Sequence, residues 1–129
     1  MGQKATRAGV VVVDDDSQFR AAIARLLRVE GFEPTLFDCA ESFIRASVQE
    51  SPLCMILDVQ LPGMSGLDLQ DRLRAGGSTV PIIITTGCRE DAVREHAHRS
   101  GCAAFLRKPF DCSALLTALS TIQHTSEAV

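Results

Sequence analysis

Four short apolar runs end in residues that can do chemistry. The run Val10 to Val13 gives way to Asp14, Asp15 and Asp16, and the run Cys54 to Leu57 to Asp58. The run Pro81 to Thr85 leads into Thr86 and Gly87, and Ala103 to Leu106 into Arg107, Lys108 and Pro109. Singly, each has an ordinary structural use: Asp16 or Ser17 as a helix N-cap, Asp58 as a polar stop after a strand, Thr86 as a β-branched strand residue, Lys108 as a solvated end. Independent turn residues have no reason to gather acids, a hydroxyl and a lysine at corresponding points of four segments, so their joint placement favours a common site.

The charges say what such a site can hold. Clustered carboxylates repel one another and are tolerable when a hard divalent cation is shared between them; Mg²⁺, or Mn²⁺ in its place, takes a few carboxylate oxygens together with water and phosphate oxygens. A carboxylate beside that ion can attack phosphorus and form an aspartyl phosphate. Phosphoryl transfer needs in-line positioning and neutralised equatorial oxygens, which the metal on one side and Lys108 on the other can supply, with Thr86 hydrogen-bonding a remaining oxygen.

The elements that position these residues follow from periodicity. Apolar runs, with a weaker one at Pro34 to Phe37, alternate with helical stretches in five βα units. That alternation predicts an α/β fold with a parallel sheet covered by helices on both faces, and ligands of such sheets bind outside the carboxyl ends of the strands. Phe19, Ile23, Leu26 and Leu27 keep helical spacing up to Gly31, and Leu115, Leu116, Leu119 and Ile122 repeat it. Asp38 with Glu41, and Ser65 with Asp68, are spaced as capping boxes or close relatives, helix three stops at Gly76-Gly77, and a polar fourth helix covers roughly Glu90 to Arg99 before Gly101. The expected domain is single, spanning 1–129, with an ordered core over about 9–122 and polar tails that fray.

With 129 residues, 46% of them hydrophobic, the chain suits one compact core. Sixteen Asp and Glu against 13 Lys and Arg, a net charge of −3, leave no basic footprint for nucleic acid or anionic membrane, and no apolar stretch is long enough to target or span a membrane. The five cysteines, Cys39, Cys54, Cys88, Cys102 and Cys112, include no CxxC pair and suit a reduced, cytoplasmic setting as packing or surface thiols. His96 and His98 diverge at i and i+2 on a helix, which makes them poor joint metal ligands and better solvated side chains.

Read together, VVVVDDD at 10–16, MILDVQLPGMSGLDL at 55–69, ITTG at 84–87 and FLRKPF at 105–110 make the chain resemble response-regulator receiver domains over about residues 10–122, most closely those of FixJ-type regulators. The resemblance implies a flavodoxin-like, CheY-like three-layer α/β/α fold with five parallel strands in the order 2-1-3-4-5. It implies that Asp58 is phosphorylated by a sensor histidine kinase, that Asp15 binds the metal directly and Asp14 through water, and that Gln60 lends its backbone carbonyl. Lys108 would pair with the phosphate and be joined to Pro109 by a cis bond, while Thr86 and Phe105 would be the switch residues. Thr86 is preferred to its neighbour Thr85 because the small Gly87 leaves room beside a phosphate. Phe105 lacks the hydroxyl of the tyrosine often found there, so its switching would rest on packing, and Gln60 and Cys88 fall where such domains tune self-dephosphorylation.

On this reading the chain is a cytoplasmic signalling switch rather than a turnover enzyme, acting only on its own phosphorylation and dephosphorylation. Phosphate on Asp58 would draw Thr86 inward, let Phe105 fill the vacated space and alter the face of helix four, strand five and helix five toward an output domain, a downstream protein or a second copy formed on phosphorylation. A hydrolase of the haloacid-dehalogenase type would need an acid where Gln60 stands. A non-phosphorylated pseudo-receiver has no use for the complete acid, Thr and Lys set, and a flavin binder would want an aromatic platform from a chain without Trp or Tyr.

Overall fold

The computed structural model describes residues 7–46 and 51–127. Five strands, β1 (Gly9–Val13), β2 (Glu33–Phe37), β3 (Cys54–Asp58), β4 (Ile82–Thr86) and β5 (Ala104–Arg107), alternate with five helices. These are α1 (Ser17–Val29), α2 (Ala40–Ala46), α3 (Gly66–Ala75), α4 (Asp91–Arg99) and α5 (Cys112–Glu127). All strand pairs are parallel and the order is β2-β1-β3-β4-β5, as the family resemblance implies.

Successive residues of a strand face opposite sides of the sheet, and this alternation makes two cores from one set of apolar runs. Val10, Val12, Cys54, Ile56 and Ile83 pack with Ile23 and Leu27 of α1 and with Leu115, Leu119 and Ile122 of α5. Val11, Val13, Met55, Leu57, Ile82 and Ile84 pack with Ala40 of α2, Leu67 and Leu69 of α3 and Ala97 of α4. Because β1, β3 and β4 are covered on both faces they carry continuous apolar runs. β5 differs: it forms the sheet edge and all four of its residues are only half-buried.

Helix ends obey local rules at most of the expected places. Asp16, rather than Ser17, caps α1 by accepting from the Gln18 and Phe19 N–H groups, and Ser65 caps α3 by accepting from Asp68 N–H. Gly31, Gly77 and Gly101 follow α1, α3 and α4 with positive φ, where a side chain would be strained. Three expectations need correction. Asp38 and Glu41 form no capping box; Asp38 accepts from the Ser42 hydroxyl, and Glu41 reaches across the chain to the N–H of Met64 at 2.8 Å. The carboxyl-terminal segment does not stop near 122, since α5 runs to Glu127, its last turns backed by the Thr121 and Thr125 hydroxyls on the carbonyls of Thr117 and Thr121. The expected polar start of the chain lies largely outside the described residues.

The third correction concerns His96, which is not simply solvated. Its Nε2 lies 2.7 Å from Asp71 Oδ2 on α3, and the Ser100 hydroxyl donates to the other oxygen of the same carboxylate. Gln70 and Arg74 reach the carbonyls that end α4: Gln70 those of Ala97 and Ser100, Arg74 those of Ser100 and Gly101. Burial pushes the Asp71 carboxyl up, but the hydrogen bonds from Ser100 and His96 outweigh it and leave the carboxyl below its ordinary value of 3.8. A carboxylate held below its unfolded value contributes stability that is whole above that value and is lost as pH falls through the folded one. The side chain is 44% exposed, so the contribution is modest. Asp71→Ala is expected to lower stability by about 1 kcal/mol at pH 7, and urea midpoints of wild type and variant should converge as pH drops below 3.8.

Candidate functional site

Parallel register carries the chemistry-bearing residues to one edge. Val13 is level with Leu57, Asp58 with Thr85, and Thr86 with Arg107, so the residues at or after those positions emerge together at the carboxyl ends of β1, β3, β4 and β5. Carboxylate oxygens of Asp14, Asp15 and Asp58 all lie within 4.8 Å of one another. Lys108 Nζ sits 2.7 Å from Asp14 Oδ2 and 3.5 Å from Asp58 Oδ2. Asp14 and Asp58 are buried, at 1% and 4% exposure, while Asp15 faces solvent.

The three consecutive acids have separate partners. Asp14 Oδ1 accepts from the Asp16 N–H and its Oδ2 from Lys108, so both of its oxygens are engaged. Asp16 is committed to the end of α1. Asp15 makes no hydrogen bond from its carboxylate among the described residues. Arg20 on α1 holds the Asp14 carbonyl at 2.7 Å and so fixes the start of this helix against the end of β1.

Among the described residues Asp58 has two supports, the Gln60 N–H on Oδ1 at 3.3 Å and the more distant Lys108. Burial first, and the Asp14 carboxylate second, push its carboxyl above the ordinary 3.8, against the opposing pull of Lys108 and of the Gln60 N–H. One ammonium among three close carboxylates leaves an excess of negative charge, and the donor set is all oxygen, which suits Mg²⁺ or Mn²⁺. The residues therefore fit the ion that the family implies.

Thr86 and Phe105 are placed differently. The hydroxyl of Thr86 accepts from the Cys88 N–H at 2.9 Å, and the Thr86 carbonyl accepts from the Lys108 N–H at 2.8 Å. Both threonines are fully buried; Thr85, the alternative, turns its hydroxyl to the Leu57 carbonyl. Phe105 is half-buried against the α2–α4 core and meets His98 edge to face at 6.1 Å. The Lys108–Pro109 bond is cis.

Residues absent from the sequence-based set also shape this edge. A Cβ on Gly66 would lie 2.1 Å from the Asp58 carbonyl oxygen, so α3 can begin there only with glycine. Glu41 anchors the crest of the β3–α3 loop through Met64, and the neighbouring Gly63, at φ +74°, leaves the carboxylate its space. Phe19 presents its ring face to Lys108 Nζ at 4.1 Å. Glu41 is visible in the sequence only as a capping-box partner and Phe19 only as part of a helical repeat, and neither signal points to this edge.

Asp58→Asn removes a buried charge from a crowded cluster and keeps the acceptor for Gln60 N–H. In the presence of chelator the variant is expected to gain about 1 kcal/mol, seen in a thermal melt as a rise of about 3–6 °C; an unchanged or lower midpoint would mean that Lys108 already compensates the charge.

Comparison with known proteins agrees with this geometry. Residues 10–120 match the family model described as the response regulator receiver domain. Nodulation protein W of Bradyrhizobium diazoefficiens is 36% identical over 117 residues, covering 91% of this chain and 52% of the relative. The transcriptional regulatory protein FixJ of Azorhizobium caulinodans is 37% identical over 110 residues, 85% of this chain and 52% of that protein. The chain thus spans about half the length of the curated relatives it matches. A CheY-like response regulator receiver domain protein from Methanospirillum hungatei superposes with a TM-score of 0.87 at 20% identity, over 96% of this chain and all of the other, and shares the fold. With the sheet order, the acidic cluster and the matched span in agreement, the chain belongs to the response regulator receiver domain family.

Proposed function

We propose that this chain is the phospho-accepting switch of a two-component pathway, with Asp58 taking the phosphoryl group from a sensor histidine kinase. The observation that carries the reading is the convergence of Asp14, Asp15, Asp58 and Lys108 at one end of the sheet. In the transfer, a carboxylate oxygen of Asp58 forms the new O–P bond as the N–P bond of the donor phosphohistidine breaks. The electron pair of that bond returns to the donor imidazole, which takes up a proton. Asp58 is the suited nucleophile because it is buried at the centre of the cluster and raised in energy there by its neighbours, whereas Asp14 is held from both sides.

Asp15 and Asp58, the Gln60 carbonyl and, through water, Asp14 would hold Mg²⁺ or Mn²⁺, which when bound offsets charge on the phosphoryl oxygens. The free carboxylate of Asp15 and the engaged one of Asp14 support that division of labour. Lys108 supplies positive charge from the other side. The hydroxyl of Thr86 accepts from Cys88 N–H, and its own proton is available to a phosphoryl oxygen. Movement of Thr86 toward Asp58 would open room beside Phe105, whose inward packing would alter the face of α4, β5 and α5. If the two forms differ by a few kcal/mol, one charge-assisted hydrogen bond together with the added phosphoryl charge is of the scale that shifts the population.

The downstream step follows the relatives only by analogy. FixJ is a transcriptional regulatory protein about twice as long as the matched segment, so control of an attached or separate output in the cytoplasm is the proposed role, with a phosphorylation-dependent homodimer as one form of it. Incubation with Mg²⁺ and acetyl phosphate should add one phosphoryl group by intact mass, and chelator or Asp58→Asn should abolish the addition. Unmodified wild type, or equal labelling of the variant, would sink the assignment.

A further inference from the structure

The position of Lys108 raises a mechanical question. A lysine has a long flexible stem and a strongly hydrated ammonium, and at the rim of a sheet it gains by swinging into water. Here the side chain is only 24% exposed. Asp14 holds Nζ at 2.7 Å, but Asp58 lies 3.5 Å away, and two carboxylates on one side do not prevent rotation outward. A further restraint is Phe19, in the first turns of α1, whose ring centroid lies 4.1 Å from the same nitrogen.

Phe19 is itself held. Its ring meets Phe110 edge to face at 6.0 Å with an interplanar angle of 84°. The segment Lys108 to Phe110 therefore supplies both the ammonium and the ring that supports the aromatic face beneath it. Phe19 is also tied to the Asp16 cap, since its own N–H is one of the two that Asp16 Oδ1 accepts. One tight turn after β1 thus fixes Asp14, which takes the ammonium, and Phe19, which backs it.

We infer that Phe19 is a positioning residue for phosphoryl transfer, holding the Lys108 ammonium in the acidic cluster through a cation–π contact; the inference rests on the assignment of Asp58 as phospho-acceptor. An aromatic face suits this task better than a third carboxylate. It attracts the cation without accepting a conventional hydrogen bond, so it restrains Lys108 while leaving N–H donors for a phosphoryl oxygen. It also adds no negative charge to a site that has too much.

The test is a double-mutant cycle read in two ways. Phosphorylation by acetyl phosphate at saturating Mg²⁺ is followed for wild type, Phe19→Leu, Phe19→Tyr, Lys108→Ala and the Phe19→Leu/Lys108→Ala pair. Leucine keeps apolar packing but removes the π face, and should slow labelling about threefold to tenfold. Tyrosine should restore it to within about twofold, and Phe19→Leu should add no further loss once Lys108 is absent. The same cycle in melting temperature, measured with chelator, should show the two substitutions to be non-additive, and it decides the matter if Lys108→Ala labels too slowly to follow. Wild-type rates in Phe19→Leu, or an equal loss with and without Lys108, would overturn the inference while leaving Asp58 in place. Absence of label in the wild type would instead overturn the acceptor assignment, and the melting-temperature cycle would still judge the Phe19–Lys108 contact.

Discussion

Three carboxylates share the carboxyl edge of a parallel sheet with one ammonium, and the rest of the molecule is arranged around that imbalance. Parallel pairing makes it unavoidable: once Val13 is level with Leu57 and Asp58 with Thr85, the residues ending these strands must meet. Like charges this close raise one another's energy, and burial of Asp14 and Asp58 strengthens the effect. The chain offsets part of the cost with donors it already has: the Asp16 and Gln60 N–H groups and Lys108. Part remains, and an edge that is unfavourable when empty of cations favours whatever brings positive charge to it.

Several packing details follow from keeping those charges in place. Gly66 lets α3 start against the Asp58 carbonyl, and Glu41, its carboxyl held below the ordinary value chiefly by the Met64 N–H, ties the following loop to α2. Arg20 ties α1 to the end of β1. Each contact is peripheral to the carboxylates, yet each fixes a backbone segment that bears one. Precision at the site is thus supplied by loops that are themselves tethered, which is how a sheet edge can hold groups that repel.

Much of this is legible in the sequence, and the limits have physical causes. Strands β1, β3 and β4 were readable because burial on both faces demands continuous apolar runs, and helix ends because Ser65, Asp16 and the positive-φ glycines act within a few residues. The strand order came from resemblance alone, since periodicity says nothing of which strands are neighbours. Local spacing misled at Glu41, whose position suits a capping box but whose carboxylate finds a better donor in Met64. It was silent on His96 with Asp71 and on Phe19 with Lys108, because a helix repeat shows which face a side chain occupies and not what another helix or loop will bring to it. The half-burial of β5 likewise depends on its edge position, which no single strand's sequence shows.

The two ends of α4 complete the connection between the acidic edge and the surface beside it. At its carboxyl end the helix is fastened to α3 by His96, Ser100 and the terminal carbonyls, through Asp71, Gln70 and Arg74. One cost of that fastening is the side-chain carbonyl of Gln70, buried without a partner, which a less polar contact would have avoided. At its amino end Glu90 gives no side-chain cap, and the approach to it is the short turn in which Cys88 binds the Thr86 hydroxyl. That end is met instead from β5, where Arg107 lies 3.4 Å from the Arg89 carbonyl and 3.9 Å from the Asp91 carboxylate. Thr86 sits beside that end and accepts from the Lys108 N–H through its backbone carbonyl, so the turn that opens α4 is tied by two hydrogen bonds to the strand end and to the segment that carries the ammonium of the cluster.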